Sequence, residues 1–350
     1  MKQFIRYSVL STAGILMLIF SVDVIAQDIH FSQFYMSPLT LNPATAGAYK
    51  DVNVSTNYRD QWRSVSSAYK TFAAAGDVKL LKNRWQNASL GLGLNIFNDR
   101  AGDGNLSTTQ INISLATHLK IDAHQTFSAG LNGGFGQRSI NFSALTWDNQ
   151  YNGFAYDGTL PSGEPAGSSS FVYPDFGAGV MYQFNKSEAY VSGNDQFKGD
   201  LGLSVTHVNQ PRVSFYSPKN DLLYMKYVLH GSLWIGLKNT PISVLPGFIY
   251  YRQGPAQEIK AGALIRYTLK EDSKYTGYVR GAAVSAGAYY RWNDAVVIAT
   301  LLEISNYAIG VSYDVNVSSL RSASIGRGGF EIALRYVNPS NFLYQNKARF

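Results

Sequence analysis

Five histidines, His30, His118, His124, His207 and His230, are the side chains of this 350-residue chain best suited to base or metal chemistry. None keeps the company such chemistry needs. A nucleophilic hydrolase requires a serine held against an oriented base, and the sequence contains no G-x-S-x-G elbow and no H-E-x-x-H pair. His30 falls in an irregular leading segment, His118 and His207 near strand ends, His124 in a tight turn and His230 mid-strand, all positions suited to structural histidines. A serine and a histidine meeting across neighbouring strands would be the one enzymatic arrangement left open. "NDRAGDGN" (98–105) brings Asp99 and Asp103 together with two glycines, but it lacks the EF-hand spacing and closing glutamate, so it reads as a hairpin turn. "GRGGF" (326–330) leads into a strand, which denies it the donor-rich helix end of a phosphate cradle. With zero cysteines, thiol catalysis, Cys-ligated zinc and disulfide staples disappear together. No catalytic residue, metal ligand or cofactor is expected.

The elements that would carry any site begin after a leader. Lys2 and Arg6 precede an apolar run from Val9 to Phe20, and "VIA" closes it just before Gln27. As a helix that run spans about 18 Å against a hydrocarbon core of about 30 Å, so residues 1–26 read as a cleaved secretory signal. Charged residues are only 15% and hydrophobic residues 45%, with a scattered net charge of +7. No basic run marks a nucleic-acid partner, and export argues against one.

The rest alternates with period two. Leu90, Leu92, Leu94 and Ile96 oppose Gly91, Gly93 and Asn95; Phe127, Ala129, Leu131 and Phe135 oppose Ser128, Gly130, Asn132 and Gly134. Strands are expected near 52–59, 70–79, 88–97, 109–120, 125–136, 173–184, 199–208, 224–238, 242–252, 258–270, 277–292, 294–304, 306–316 and 329–338, fourteen in all. Ten tilted residues rise about 25 Å, the height of an outer-membrane apolar band. Counting from a periplasmic amino terminus, the long gaps 98–108, 137–172, 209–223 and 317–328 fall outside and 121–124 and 239–241 inside, although 185–198 is long for an inner turn. A soluble sandwich would carry Lys, Glu and Thr opposite its apolar faces, whereas here Gly, Ala, Ser and Asn stand there. Tyr182, Trp234, Tyr250, Tyr251, Tyr289, Tyr290 and Trp292 suit interfacial girdles. The expected fold is all-β: a transmembrane antiparallel up-and-down barrel over 52–338, integral to the outer membrane and facing its lipid, with a periplasmic tail over 339–350.

"QDIHFSQFYMSPLTLNPATAGAY" (27–49) and "YRDQW" (58–62) resemble the amino-terminal signature of the PorP/SprF family of type IX secretion system outer-membrane proteins. "GAYYRWNDAVV" (287–297) and "IGVSYDVNVSSLRSASIGRGGFEIALRY" (309–336) are similar to that family's carboxy-terminal region. The resemblance implies an outer-membrane barrel of Bacteroidota-type bacteria serving type IX secretion or gliding. Its implied partners are a secreted substrate or adhesin held at the cell surface and periplasmic ring components of the machine.

Within 27–51 the chain will not alternate. Pro38 and Pro43 remove two donors and disfavour both helix and central strand. A plug or inner-mouth latch is expected there, with Phe31, Phe34, Tyr35 and Leu41 filling space among small lumenal residues and Asn42 and Pro43 set against polar walls. The gap 137–172 is the expected partner surface, through Trp147, Tyr151, Phe154 and Tyr156, with Tyr173 at its end. The alternative function is a plugged transport barrel for a hydrophobic or small polar solute.

Overall fold

The computed structural model describes residues 28–63, 68–81, 85, 87–164, 168–186, 194, 196–215, 221–270, 281–319 and 321–338. The leader and the tail lie outside them. Fourteen strands follow one another: β1 (Val52–Gln61), β2 (Tyr69–Leu80), β3 (Ala88–Ala101), β4 (Leu106–Lys120), β5 (Gln125–Ser139), β6 (Ser170–Lys186), β7 (Phe197–Thr206), β8 (Lys226–Gly236), β9 (Ile242–Gln253), β10 (Ala256–Lys270), β11 (Ala282–Arg291), β12 (Ala295–Ile304), β13 (Tyr307–Asn316) and β14 (Arg327–Asn338). Each pairs antiparallel with its sequence neighbours, and β1 closes on β14 from Val52 opposite Asn338 to Gln61 opposite Gly329. Closure gives every strand a partner on both sides, which satisfies the backbone where lipid offers no hydrogen bonds.

The period-two pattern settles into two surfaces. Outward stand Leu92, Leu94, Ile113, Leu115, Leu131 and Phe135, with Leu131 67% exposed, a continuous apolar wall in the isolated chain. Inward stand small and polar residues such as Ser114, Ser128, Ser204, Ser285 and Ser312. Such a wall is what lipid covers in a membrane barrel. The described parts of two long connections, 140–164 with 168–169 and 207–215 with 221–225, lie at one mouth, while 121–124, 237–241 and 305–306 lie at the other. Outer-membrane barrels turn their long loops outward, so the first mouth is the outer one.

Three girdle assignments are corrected. Tyr251 and Tyr289 are 7% and 3% exposed and point into the lumen, because each neighbours a tyrosine, Tyr250 or Tyr290, that takes the lipid side of the pleat. Trp234 also turns inward at the inner mouth, where the Lys198 ammonium lies 4.2 Å and the Arg266 guanidinium 4.8 Å from its ring. Tyr173 belongs to the buried face of β6 and not to the outer loop.

Residues 28–47 run inside the barrel. They form a 3-10 turn at Phe34–Met36, one helical turn at Pro38–Leu41 and a second 3-10 turn at Pro43–Thr45. The prolines are expected to disfavour helix and central strand, and helix here is limited to single turns that the prolines themselves start. Each begins a turn, where its missing N–H has no intrahelical partner to lose and its fixed φ is already helical. Asn42 caps the second turn by accepting from the Ala44 amide at 2.9 Å.

Candidate functional site

Pleat parity builds the lumenal site. β1 directs Asn53, Ser55, Asn57 and Arg59 inward and Val54 and Tyr58 outward. β13 and β14 bring Asp314 and Glu331 to the same side. Register then sets Arg59 directly opposite Glu331 and Lys260 opposite Arg291. Arg59 donates to Asp314 at 2.8 Å and Arg291 donates to it at 3.0 Å. Glu258 lies 3.5 Å from Lys260, Arg291 and His30. Arg59, Lys260 and Glu331 are essentially sealed from solvent, which is tolerable only because opposite charges and backbone groups face them.

The leading segment completes this network. The Lys226 ammonium donates to the Ile29 carbonyl at 3.0 Å, the Arg59 guanidinium to that of His30 at 2.6 Å, and the Lys260 ammonium to that of Phe31 at 2.8 Å. The Glu331 carboxylate accepts from the Ser32 amide at 2.6 Å and the Gln33 amide at 3.0 Å. The Ser32 hydroxyl donates to Asp314 at 2.7 Å.

Nearer the outer mouth His207 bridges two carboxylates, Asp28 at 2.5 Å and Asp175 at 2.6 Å. Burial alone would lower its pKa, but those carboxylates outweigh burial and raise it to about 9, so the imidazolium persists at neutral pH. For Asp28, burial likewise opposes ionisation, yet His207 holds its carboxyl well below the usual range.

The expected inner residues come together as follows. Phe34 meets Tyr289 edge-on at 5.4 Å, and Tyr35 stacks on Tyr289 at 5.8 Å. Phe31 packs with Ala73 and Phe97, and Leu41 joins the cluster around Ile249 and Leu264. Asn42 donates to the Val180 carbonyl at 3.0 Å and lies 3.2 Å from His230. Pro43 and Ala44 sit against Gly130, where a β-carbon would overlap them. At the inner mouth the Ala46 carbonyl lies 2.8 Å from His118, and the Gly47 amide donates to Asp77 at 2.8 Å. The Ser37 hydroxyl bonds Asn57, the Ser204 hydroxyl donates to the Leu41 carbonyl, and Met36 packs on Leu301. Together these contacts touch all fourteen strands. Beside them remains a cavity of about 50 Å³ near Asn112, Asn132, His207 and Tyr251, room for a few waters.

The expected loop residues lie apart, above the outer mouth. Tyr151 and Tyr156 pair across a small hairpin. Its bend is held by Asn152, whose side chain accepts from the Phe154 and Ala155 amides at 3.0 Å. Phe154 stands at the tip, 94% exposed, while Trp147 is half-buried at the base. Phe215 of the neighbouring 207–225 loop packs 6.4 Å from Phe142 and 4.9 Å from Phe171, which ties the two long loops together. Among the described residues no group of acidic and imidazole side chains has metal-site geometry.

The lumenal ions Arg59, Glu258, Lys260, Arg291, Asp314 and Glu331 escaped sequence reasoning, which expected a small, glycine-lined interior. Each occupies the parity of its strand's small residues, as Arg59 does after Asn57 and Asp314 after Ser312, and that was the available signal.

A family model described as "Type IX secretion system membrane protein PorP/SprF" matches residues 24–336. The chain belongs to the PorP/SprF family. It is therefore a type IX secretion membrane protein, and its closed barrel of apolar exterior sits in the outer membrane. A comparison with curated proteins gives no match. Among solved structures, CdiB from Acinetobacter baumannii is similar with TM-score 0.40 and 9% identity over 82% of this chain and 60% of that one, so this PorP/SprF chain spans less than two thirds of CdiB. A deletion mutant of the monoaromatic hydrocarbon channel TodX gives 0.46 and 10% over 85% and 93%, and a Pseudomonas aeruginosa FadL homologue 0.42 and 10% over 84% and 92%.

Proposed function

We propose that this PorP/SprF protein is a non-catalytic component of type IX secretion that binds or anchors a secreted cell-surface protein through its outer loops, while residues 28–47 plug the lumen. The observation carrying this reading is the division of labour between mouth and interior. A segment that touches every strand runs through the lumen, which supports a plug over an open channel. The exposed aromatic hairpin stands instead on two mutually braced loops. An aromatic tip on a rigid base loses little entropy on docking, and aromatic anchors carry much of the energy of protein interfaces.

The test is retention of the secreted partner at the cell surface, with barrel assembly followed in parallel. Combined Trp147→Ala, Tyr151→Ala, Phe154→Ala and Tyr156→Ala substitution is expected to release the partner while the barrel still assembles. Undiminished retention removes this loop as the contact. Solute-dependent conductance of the intact protein would favour a transport barrel in its place.

A further inference from the structure

Five successive residues of the inner segment are gripped by their backbones. Lys226, Arg59 and Lys260 donate to the carbonyls of Ile29, His30 and Phe31, and Glu331 accepts from the amides of Ser32 and Gln33. A wall that contacts carbonyl oxygens and amide hydrogens reads chain direction and extension, features shared by any peptide, and reads side chains only secondarily. The side chains of Phe31 and Ser32 are fitted too, on Ala73 and Phe97 and on Asp314, but two neighbours are not fully matched. Gln33 Oε1 and Tyr35 Oη are buried without hydrogen-bond partners. Such orphans weaken a contact that the charged wall otherwise strengthens.

The geometry points to the lumenal charges Lys226, Arg59, Lys260 and Glu331 as a peptide-binding site that residues 29–33 occupy as a resident ligand and that an extended segment of another protein takes by exchange. The ligand class is an unfolded peptide, running in the direction of the resident one, with free amides at two adjacent positions for Glu331. This inference takes from the anchoring reading only the source of that peptide, an unstructured stretch of the secreted partner.

The absence of native cysteines makes exchange measurable on the full-length protein. Asn57 is buried behind the segment and bonded to the Ser37 hydroxyl. In an Asn57→Cys barrel, a synthetic peptide of residues 28–47 with Ser37→Cys, its sulfur carried as a 2-pyridyl mixed disulfide, can be attacked by the barrel thiolate, releasing 2-thiopyridone and forming the protein–peptide disulfide, only where the resident segment has been displaced. A second pair, Gly93→Cys in the barrel with Ala46→Cys in the peptide, reads the same event should the first variant fail to assemble, since a β-carbon at Gly93 stands 3.2 Å from that of Ala46. Intact-mass analysis is expected to show the adduct with the native peptide. It is also expected, in smaller yield, with one whose residues 29–33 are shuffled, since Phe31 and the Ser32 hydroxyl then leave their fitted partners while the backbone contacts remain. Adding Ser32→Pro and Gln33→Pro, which deletes the two amides Glu331 binds, should reduce the adduct on the order of tenfold or more. No adduct with either pair, an adduct abolished by shuffling, or one indifferent to the prolines overturns the inference. None of these outcomes depends on the secreted partner, so retention at the cell surface stands or falls separately.

Discussion

Substituting Gly91 should unseat the inner end of the segment. A β-carbon at this position of β3 would overlap the Ala46 carbonyl oxygen, approach the carbonyl carbon to 2.5 Å and reach 3.0 Å from His118 Nε2. The first two obstacles are backbone, so no rotamer relieves them. Either β3 or the segment must move, and β3 is laddered to β2 and β4 along its length. The segment tail is held more lightly, by the Ala46 carbonyl to His118 and the Gly47 amide to Asp77. Losing both contacts costs about 1–3 kcal/mol each, because buried His118 and Asp77 are left short of partners. Keeping the tail seated costs a similar 1–3 kcal/mol or more in overpacking. A change of about 3 kcal/mol is a hundredfold or more in the occupancy of the seated tail. Gly91→Val is therefore expected to convert a quiet planar-bilayer trace into frequent openings. Gly76→Ala is the control, since the nearest atoms to its β-carbon stand at 3.8 and 3.9 Å and it should change nothing. An assembled Gly91→Val barrel with the wild-type trace would refute the reasoning, as would steady conductance in the unsubstituted protein.

Other consequences are independent. The folded pKa of His207 is about 9, above its ordinary value near 6.5, so its contribution is complete below about pH 6.5 and lost as pH rises through 9. Thiol labelling of an Asp28→Cys chain would disturb the clasp itself, so protease access to residues 28–33 at pH 7 and pH 10 is the better measure; it should rise at pH 10, and His207→Gln should remove that dependence. Arg59→Met leaves Glu331 and Asp314 short of a cation and should cost about 3–5 kcal/mol, read as a lower temperature of heat modifiability. Leu131→Arg places a charge on the lipid wall at the middle of β5 and should destabilise the folded barrel by about 2–4 kcal/mol in phospholipid vesicles.

The barrel was legible because a strand that faces lipid on one side and a packed lumen on the other must alternate at every residue. The expected segments 88–97 and 306–316 lie within or almost on β3 and β13 for this reason. What the pattern could not reveal is which inward residues meet. Arg59 and Glu331 are separated by most of the chain and become cross-strand neighbours only through the closing pair of β1 and β14. Adjacent aromatics were a second blind spot. Tyr250 and Tyr251 both looked interfacial, but the pleat lets only one of them face lipid. The prolines of the segment act in both directions, since a helix-breaking residue within a helix is a helix-starting residue at its first position.

The two ends of the inner segment are held by different physics, and this determines how it could leave. Its outer half is bound chiefly by charge, with Phe31 packed beside: Asp28 to His207, three carbonyls to cations, two amides to Glu331. Its inner half is held by shape, with Ala44 and Ala46 against Gly130 and Gly91 and with Met36 and Leu39 among buried aliphatic residues. Charged contacts reform with any backbone that supplies the same oxygens and amides, whereas a fitted apolar contact does not. The outer half is also the end nearest the long loops. A peptide arriving from that side therefore meets the exchangeable contacts first, and one that also carries the residues of the inner half goes on to replace the shape-matched contacts.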